Sequence, residues 1–319
     1  AFELSWQTLD RDEQKLAYSL SLFALATIPW NFVEVWSGED EDDLEDWRDD
    51  GLINCSLLMR VGRGTYQLHQ LIREYFRSKL DDWPEADNLK RSFCQSMVHI
   101  AQKVPQSPTR KQILDIVPAT PHLTEVTTTW LDSLNNENLI WPFVGLGRFY
   151  EGQGFYREAR AWYENCDQVV KQKLQKNPQI IASIQGHLAR IYQFQGQYVE
   201  SEILYEQILE TQKVYLYETS PDTAETLNDL GVVLYKQGKY SEAKPLLGKA
   251  IKLLITAYGE CHPKVMEAQS NLAMLFSAQG RYLEAEKLFI QALEIGKHCL
   301  GAQHPRIATN MCNLAFCYK

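Results

Sequence analysis

The chain has 319 residues, 45% of them hydrophobic and 23% charged, which excludes a wholly disordered protein and leaves room for two domains or one elongated repeat array. No run of about 18 apolar residues is present, so no membrane-spanning helix is expected, and no basic segment followed by an apolar one marks a secretory leader. The net charge of −9 falls within residues 1–83, which hold 17 acidic and 8 basic residues; nine of those acids lie between Glu39 and Asp50. This asymmetry separates two regions before any motif is considered. The seven cysteines (Cys55, Cys94, Cys166, Cys261, Cys299, Cys312 and Cys317) are odd in number, scattered and never spaced C-x-x-C. Neither a disulfide framework nor a thiolate zinc site is expected, and the expected compartment is the reducing cytoplasm. A start at Ala1 and an end at Lys319, inside a helical pattern, suggest a piece of a longer protein.

Residues 5–27 have the spacing of a helical pair, with Trp6 and Leu9, then Leu16, Leu20, Phe23 and Leu25, and with Asp10 or Asp12 as cap; Pro29 ends the run. Leu44 to Leu52 predicts a short helix stopped near Gly51. Leu57 to Val61 predicts a strand, which Gly62-Arg63-Gly64 turns back into Tyr66-Gln67-Leu68-His69, and helical spacing resumes from Leu71 to Leu80. Three helices, a hairpin and another helix outline a winged-helix domain over residues 1–82. A winged helix that binds DNA needs cations against phosphate; Arg60, Arg63, Arg73, Arg77 and Lys79 would have to supply them, and the local charge of −9 argues against nucleic acid as a partner.

The stretch DGLINCSLLMRVGRGTYQLHQLIREYFRSKL, preceded by Trp47, resembles the winged-helix domain that follows the nucleotide-binding core in STAND ATPases, the NB-ARC and NLR-like signalling proteins. In that family a Met-His-Asp motif sets its histidine near the β-phosphate of bound ADP. The corresponding Leu68-His69-Gln70 keeps only the histidine. The resemblance implies a cofactor-binding role for His69 toward the ADP phosphate, with an ATPase core that these residues do not contain; the other reading of His69 is a structural histidine at the edge of the wing.

Residues 83–137 form a helical bridge. Leu89 to Val104 is helical in period, and Ile113 to Val117 and Leu123 to Leu134 suggest a further pair among the prolines at 105, 108, 118 and 121.

From residue 138 onward a 42-residue period governs the chain. Gly154-Phe155-Tyr156, Gly196-Gln197-Tyr198, Gly238-Lys239-Tyr240 and Gly280-Arg281-Tyr282 are evenly spaced, as are Leu146, Leu188, Leu230, Leu272 and Leu314. Each of those leucines precedes a small residue (Gly147, Ala189, Gly231, Ala273, Ala315), and a second small column runs through Ala159, Ser201, Ala243 and Ala285. Apolar residues recur at helical spacing on both sides of each glycine, so one unit is two amphipathic helices. The glycine falls where the chain must turn through the left-handed region, and Ser220-Pro221, His262-Pro263 and His304-Pro305 restart the next helix. One such unit cannot bury its apolar face alone, so the units must stack into a solenoid. Residues 138–319 hold four repeats and the first helix of a fifth.

These columns, with Glu242-Ala243 and Glu284-Ala285 after the turn, resemble the tetratricopeptide repeat, and the 42-residue unit with His-Pro junctions resembles its kinesin light chain subclass. The resemblance implies a right-handed α-solenoid whose first helices line a concave groove for peptides or partner helices. The implied groove positions are Trp141, Val144 and Arg148; Ser183, Arg190 and Gln193; Glu225, Asn228 and Tyr235; and Glu267, Ser270 and Met274. Asn271 and Asn313 match the light-chain asparagine column, whose amides clamp a peptide backbone; Gly145, His187 and Asp229 interrupt it in the earlier repeats. Arg148 and Arg190 share one column and could receive an acidic group, or serve as ordinary solvated or ion-paired arginines.

No Gly-x-x-x-x-Gly-Lys-Ser/Thr loop, His-Glu-x-x-His or Gly-x-Ser-x-Gly is present, so these residues are not expected to be an enzyme or to bind a cofactor unaided; ADP or ATP would belong to a full-length protein. Cys261-His262, His298-Cys299 and His304 follow the junction pattern rather than a ligand geometry, and no metal is expected. The reading is a mainly α protein: the protein- or peptide-binding sensor and regulatory region of a STAND signalling ATPase, whose partners are a protein ligand and its own nucleotide-binding domain, with no membrane. The alternatives are a DNA-binding regulator with a repeat sensor, and a light-chain-like adaptor scaffold.

Overall fold

The computed structural model describes residues 2–174, 177–215, 220–301 and 304–318. The chain divides into two compact units, Ala1–Val170 and Lys171–Lys319.

The first unit opens with helices α1 (Phe2–Thr8) and α2 (Arg11–Ser21). Asp10 starts α2 as expected: its carboxylate accepts from the backbone N–H of Asp12 and Glu13 at 2.9 and 2.8 Å, and Glu13 accepts back from Asp10 N–H at 2.8 Å, a reciprocal capping box. Strand β1 (Ile28–Pro29), helix α3 (Trp30–Ser37), helix α4 (Glu41–Asp46) and a π-helical stretch over Trp47–Ile53 follow. Strands β2 (Met59–Gly62) and β3 (Thr65–Gln67) then form the hairpin, and α5 (Gln70–Leu80) completes the series. The sheet is antiparallel in the order β1-β3-β2, with Ile28 opposite Tyr66.

Three local details differ from the sequence expectation. Pro29 ends no helix; it lies in an edge strand, where its missing N–H costs no ladder bond. Helix α3 was not anticipated, although Trp30, Val33 and Trp36 form one buried face at helical spacing. The hairpin begins at Met59 rather than Leu57, because Ser56 turns through positive φ and the N–H groups of Leu57 and Leu58 both bond back to Leu52 O at 2.8 and 3.2 Å. This inserts both leucines into the core.

The acidic run is partly answered from within. Arg48, 4% exposed, donates to both oxygens of Asp49 at 2.7 and 2.9 Å and to Glu45 at 3.0 Å. Its guanidinium lies 4.7 Å from the Trp30 ring and 5.0 Å from Tyr66. The Asp49 hydrogen bond, opposed by burial, keeps it firmly protonated.

Helices α6 (Ala86–Gln102), α7 (Arg110–Ile116) and α8 (Thr120–Thr128) follow, and then α9 (Trp141–Glu151) and α10 (Tyr156–Lys173). One apolar core runs from Trp6 to Leu146 through Phe23, Phe93 and Leu123. Phe23 meets Phe93 edge-on at 4.9 Å. Helices α6 and α9 approach closely because their contact residues are small: a Cβ on Gly145 would lie 2.8 Å from Ala101 Cβ and 2.9 Å from its Cα.

The second unit is a tandem of helix pairs: α11 (Pro178–Phe194) with α12 (Tyr198–Tyr215), α13 (Pro221–Lys236) with α14 (Tyr240–Tyr258), and α15 (Pro263–Ala278) with α16 (Tyr282–Leu300), closed by α17 (Pro305–Phe316). The turn columns behave as their chemistry dictates. Gly154, Gly196, Gly238 and Gly280 have φ of 75–81°, and each turn closes with an N–H five residues after its acceptor. These bonds are Phe155 to Tyr150 O, Gln197 to Tyr192 O, Lys239 to Leu234 O and Arg281 to Phe276 O, at 2.9–3.0 Å. The His-Pro junctions are helix starts: His262 and His304 each accept through Nδ1 from the N–H two residues on, at 3.2 Å, with proline in the first turn.

The small column is small because the facing helix carries a large residue. A Cβ on Gly147 would lie 2.4 Å from the fully buried Tyr163 ring, whereas one on Gly186 would meet only Ile208 Cδ1 at 3.9 Å. Gly147→Ala is therefore expected to destabilise the first unit by about 2 kcal/mol, while Gly186→Ala stabilises the second by up to about 1 kcal/mol through helix propensity. Melts followed by tryptophan fluorescence and by far-UV circular dichroism check the two signs.

Candidate protein-binding face of the repeat helices

In the second unit the first helices of successive pairs lie side by side, and polar side chains join them. Lys264 on α15 pairs with Glu225 on α13 at 2.7 Å, and Arg306 on α17 pairs with Glu267 on α15 at 3.0 Å. The two bridges are the same contact one period apart, a base reaching an acid 39 residues earlier. Deeper on the same face, Asn271 Nδ2 donates to Asn228 Oδ1 at 3.0 Å, and Asn228 Nδ2 donates to Asp229 Oδ1 at 3.1 Å. Tyr205 on α12 donates to the other Asp229 oxygen at 3.5 Å. On α11, Arg190 Nη2 lies 3.3 Å from His187 Nδ1, and its charge also acts on Asp229.

Asp229 is the electrostatic centre of this face. Burial pushes its carboxyl up to about 6, the charge of Glu267 acts in the same sense, and the Asn228 hydrogen bond, Arg190 and Lys264 oppose them. A folded value above the unfolded one of about 3.9 means that its contribution is fully present below pH ~4 and is lost as pH rises through 6. At neutral pH the fold therefore holds an ionised Asp229 at a cost.

The structure distributes the sequence-derived candidates unevenly. Arg190, Asn228 and Asn271 belong to the connected network. Ser270 is buried and its hydroxyl bonds back to Met266 O at 2.8 Å, within its own helix. Tyr235 and Met274 are half-buried against the apolar cluster of the second unit; Tyr235 packs on Tyr240 at 6.2 Å, and Lys236 lies over its ring at 5.2 Å. Gln193 is half-buried near the end of α11, and its carbonyl accepts from Gly196 N–H at 3.1 Å. Asn313 is half-buried on α17, its carbonyl 3.6 Å from Cys317 Sγ. Arg148 belongs to the first unit, where it donates to Val104 O at 3.1 Å and lies 6.0 Å from Trp141. Val144 and Gly145 are buried beside it, so these columns on α9 face α6 and the residues just after it rather than solvent. Lys264, Arg306 and Tyr205 were missed; the first two are legible in hindsight as the acid-to-base spacing of 39.

His69 is exposed and caps α5, accepting from Leu71 N–H through Nδ1 at 3.2 Å, the same arrangement as at His262 and His304. Four of the five cations that a DNA-binding edge would need are engaged internally: Arg60 with Asp49, Arg73 and Arg77 with Glu125, and Lys79 with Glu3. Among the described residues no group of three or more His, Cys, Asp or Glu is placed to hold a metal ion, and no helix is long and apolar enough to cross a membrane.

Stacked helix pairs with glycine-closed turns and a polar face shared by their first helices define a tandem-repeat α-solenoid. The tetratricopeptide repeat model matches residues 180–256 and 264–319. Among solved structures, BtubC (BKLC) from P. vanneervenii superposes with a TM-score of 0.52 at 20% identity over 66% of this chain and 84% of that one. A Podosopora anserina putative kinesin light chain with nearly identical TPR-like repeats gives 0.50 at 24% identity over 65% of this chain and 96% of that one. The apo form of RapI gives 0.51 at 12% identity over 90% of this chain and 70% of that one. At these identities the likeness is one of fold. No curated protein matches the sequence.

Proposed function

We propose that this chain binds a protein or peptide along the face shared by α11, α13, α15 and α17, read as the concave groove of the array. The observation that carries the reading is Asp229: a carboxylate raised to about 6 by burial, at the centre of a network of amides and paired charges. Such a surface offers both donors and acceptors to an extended main chain, and a carboxylate for a basic side chain. Arg190, Gln193, Asn228, Tyr235, Ser270, Asn271, Met274 and Asn313 remain the proposed contacts of this face and Asp229 joins them; Arg148 is a separate proposed contact within the first unit.

The finer reading makes the chain the sensor and regulatory region of a STAND-type ATPase. What supports it is the element order of the first unit, helix–strand–helix–helix–strand–strand with the sheet order β1-β3-β2, which is that of a winged helix. On this reading residues 1–82 are the winged helix, 83–137 the bridge and 138–319 the array, and exposed His69 would face ADP held by a nucleotide-binding core in a longer protein.

The test is peptide selection from a random library on the purified chain, repeated with Asp229→Asn and Arg190→Glu. Selected peptides are expected to lose at least tenfold in affinity with both variants, while Asp229→Asn melts no lower than wild type at pH 7.5. Peptides that bind all three proteins equally would move the site off this face.

A further inference from the structure

Two of the seven cysteines meet in the second unit, far apart in sequence and both exposed. Cys261 lies in the turn between α14 and α15, and Cys299 is the penultimate residue of α16. The Cys299 thiol donates to the backbone carbonyl of Cys261 itself at 3.1 Å. A disulfide needs its two Cα atoms about 4.4–6.8 Å apart. The Cys299 sulfur is already in contact with the other cysteine's own carbonyl oxygen, and closing the bond requires the Cys261 side chain to turn toward it with whatever shift of its turn the geometry demands. Both residues lie at junctions where no helix ladder must be broken: Cys261 precedes the N-cap His262, and Gly301, at φ 81°, ends the helix just after Cys299. Cys261 also lines a surface cavity of about 440 Å³ together with Glu260, Gln269, Gln291 and His298, which gives a small oxidant access.

The remaining cysteines do not compete. Cys94 and Cys166 are buried, and burial pushes both thiols up, away from the reactive thiolate. Cys312 and Cys317 are five residues apart along α17 and its end, a separation that sets side chains on different helix faces. Cys55 belongs to the first unit, 3.6 Å from Thr8 Oγ1.

We propose that Cys261 and Cys299 form a reversible disulfide that pins the end of α16 to the α14–α15 turn, making this junction a redox-responsive modification site of the array. With a low-molecular-weight disulfide such as oxidised glutathione, one cysteine thiolate attacks the glutathione S–S bond and releases one glutathione thiolate. The second cysteine thiolate then attacks the mixed disulfide and releases the other. Two protons pass from the cysteine thiols to the two glutathione thiolates, the protein sulfurs are oxidised and the glutathione disulfide is reduced. The new bond closes a long loop, so it is expected to restrict the unfolded chain as well as the junction.

The experiment exposes the purified chain to a graded ratio of oxidised to reduced glutathione, followed by intact mass and non-reducing peptide mapping. The expected result is loss of two hydrogen masses, a cross-linked peptide joining 261 to 299, and an unfolding midpoint raised by about 5 °C. All three should be reversed by reductant and absent from Cys299→Ser. A stable glutathione adduct that never closes, or linkage through any other cysteine pair, would overturn the proposal. Cys261→Ser, measured alongside, is expected to trap the mixed disulfide on Cys299; if it leaves Cys299 unmodified, the exchange mechanism is wrong.

Discussion

Replacing Glu125 with glutamine is expected to lower the unfolding free energy of the first unit by about 3 kcal/mol. One carboxylate oxygen receives Arg73 Nη2 at 2.6 Å, Arg77 Nη2 at 2.8 Å and the Thr129 hydroxyl at 3.0 Å. The three charged side chains are 13%, 23% and 15% exposed, so water screens them far less than a surface pair. Both guanidiniums also donate through Nε to Ser21 O, at 3.4 and 2.8 Å, and Arg77 stacks over Trp130 at 4.8 Å; neither can swing out without losing those contacts. Burial and the neighbouring Arg77 charge already pull the Arg73 value down, and Glu125 is the main opposing influence. Glutamine keeps the shape and one acceptor, and leaves two like charges on adjacent turns of α5. All eight tryptophans lie at or before residue 162, so urea unfolding followed by tryptophan fluorescence reports this unit selectively. A loss below about 1 kcal/mol would mean that the triad behaves as a solvated surface pair. A double-mutant cycle with Arg73→Met is expected to show a coupling above about 1.5 kcal/mol.

That triad marks a limit of what the sequence shows. Arg73 and Arg77 stand one helical turn apart and could be read as one edge of α5, but their partner is 48–52 residues away on α8. No periodicity connects positions brought together by tertiary packing. The repeats are legible for the opposite reason. Each bond that closes a turn spans five residues, each junction is a His-Pro or related pair within two residues, and stacking repeats the same contact at a fixed offset. Local rules acting 42 residues apart suffice to predict where Gly238 turns and where Pro263 restarts. Strand β1 was illegible because two residues carry no alternation, and its partner β3 lies 37 residues on.

The candidate face is legible to an intermediate degree. Its columns follow from the period, so Arg190, Asn228 and Asn271 were reachable from sequence. What the columns cannot say is whether a side chain is already occupied. Ser270 spends its hydroxyl on its own helix, and Arg148 meets Val104 because α6 packs on α9 through Ala101 and Gly145. Asp229 appeared in the sequence as a break in an asparagine column. Its surroundings make it the most strained charge of the face, and only the fold supplies Tyr205 from α12 and the opposing Glu267 from α15.

Acid should unfold the first unit through one histidine. His122 on α8 is fully buried; its Nδ1 accepts from Ala24 N–H at 3.2 Å, which leaves Nε2 as the protonated nitrogen, donating to Thr27 O at 3.1 Å. Phe23 and Phe32 pack against it edge-on at 4.9 and 6.3 Å. A second proton would have to displace the Ala24 bond inside an aromatic wall. Burial accordingly pushes the imidazole down to about 4, with Arg73 acting in the same sense, while the Thr27 carbonyl and Glu125 oppose. The folded value lies below the unfolded one of about 6.5, so the stabilisation is complete above pH 6.5 and is lost as pH falls through 4. The whole window amounts to about 3 kcal/mol, at roughly 1.4 kcal/mol per pH unit. Tryptophan-detected urea unfolding between pH 7.5 and 4.5 is expected to show that slope in the wild type. His122→Asn should be weaker at pH 7.5 and nearly flat across the same interval, because it removes the buried group that titrates there. Parallel slopes in the two proteins would assign the acid sensitivity to surface carboxylates instead.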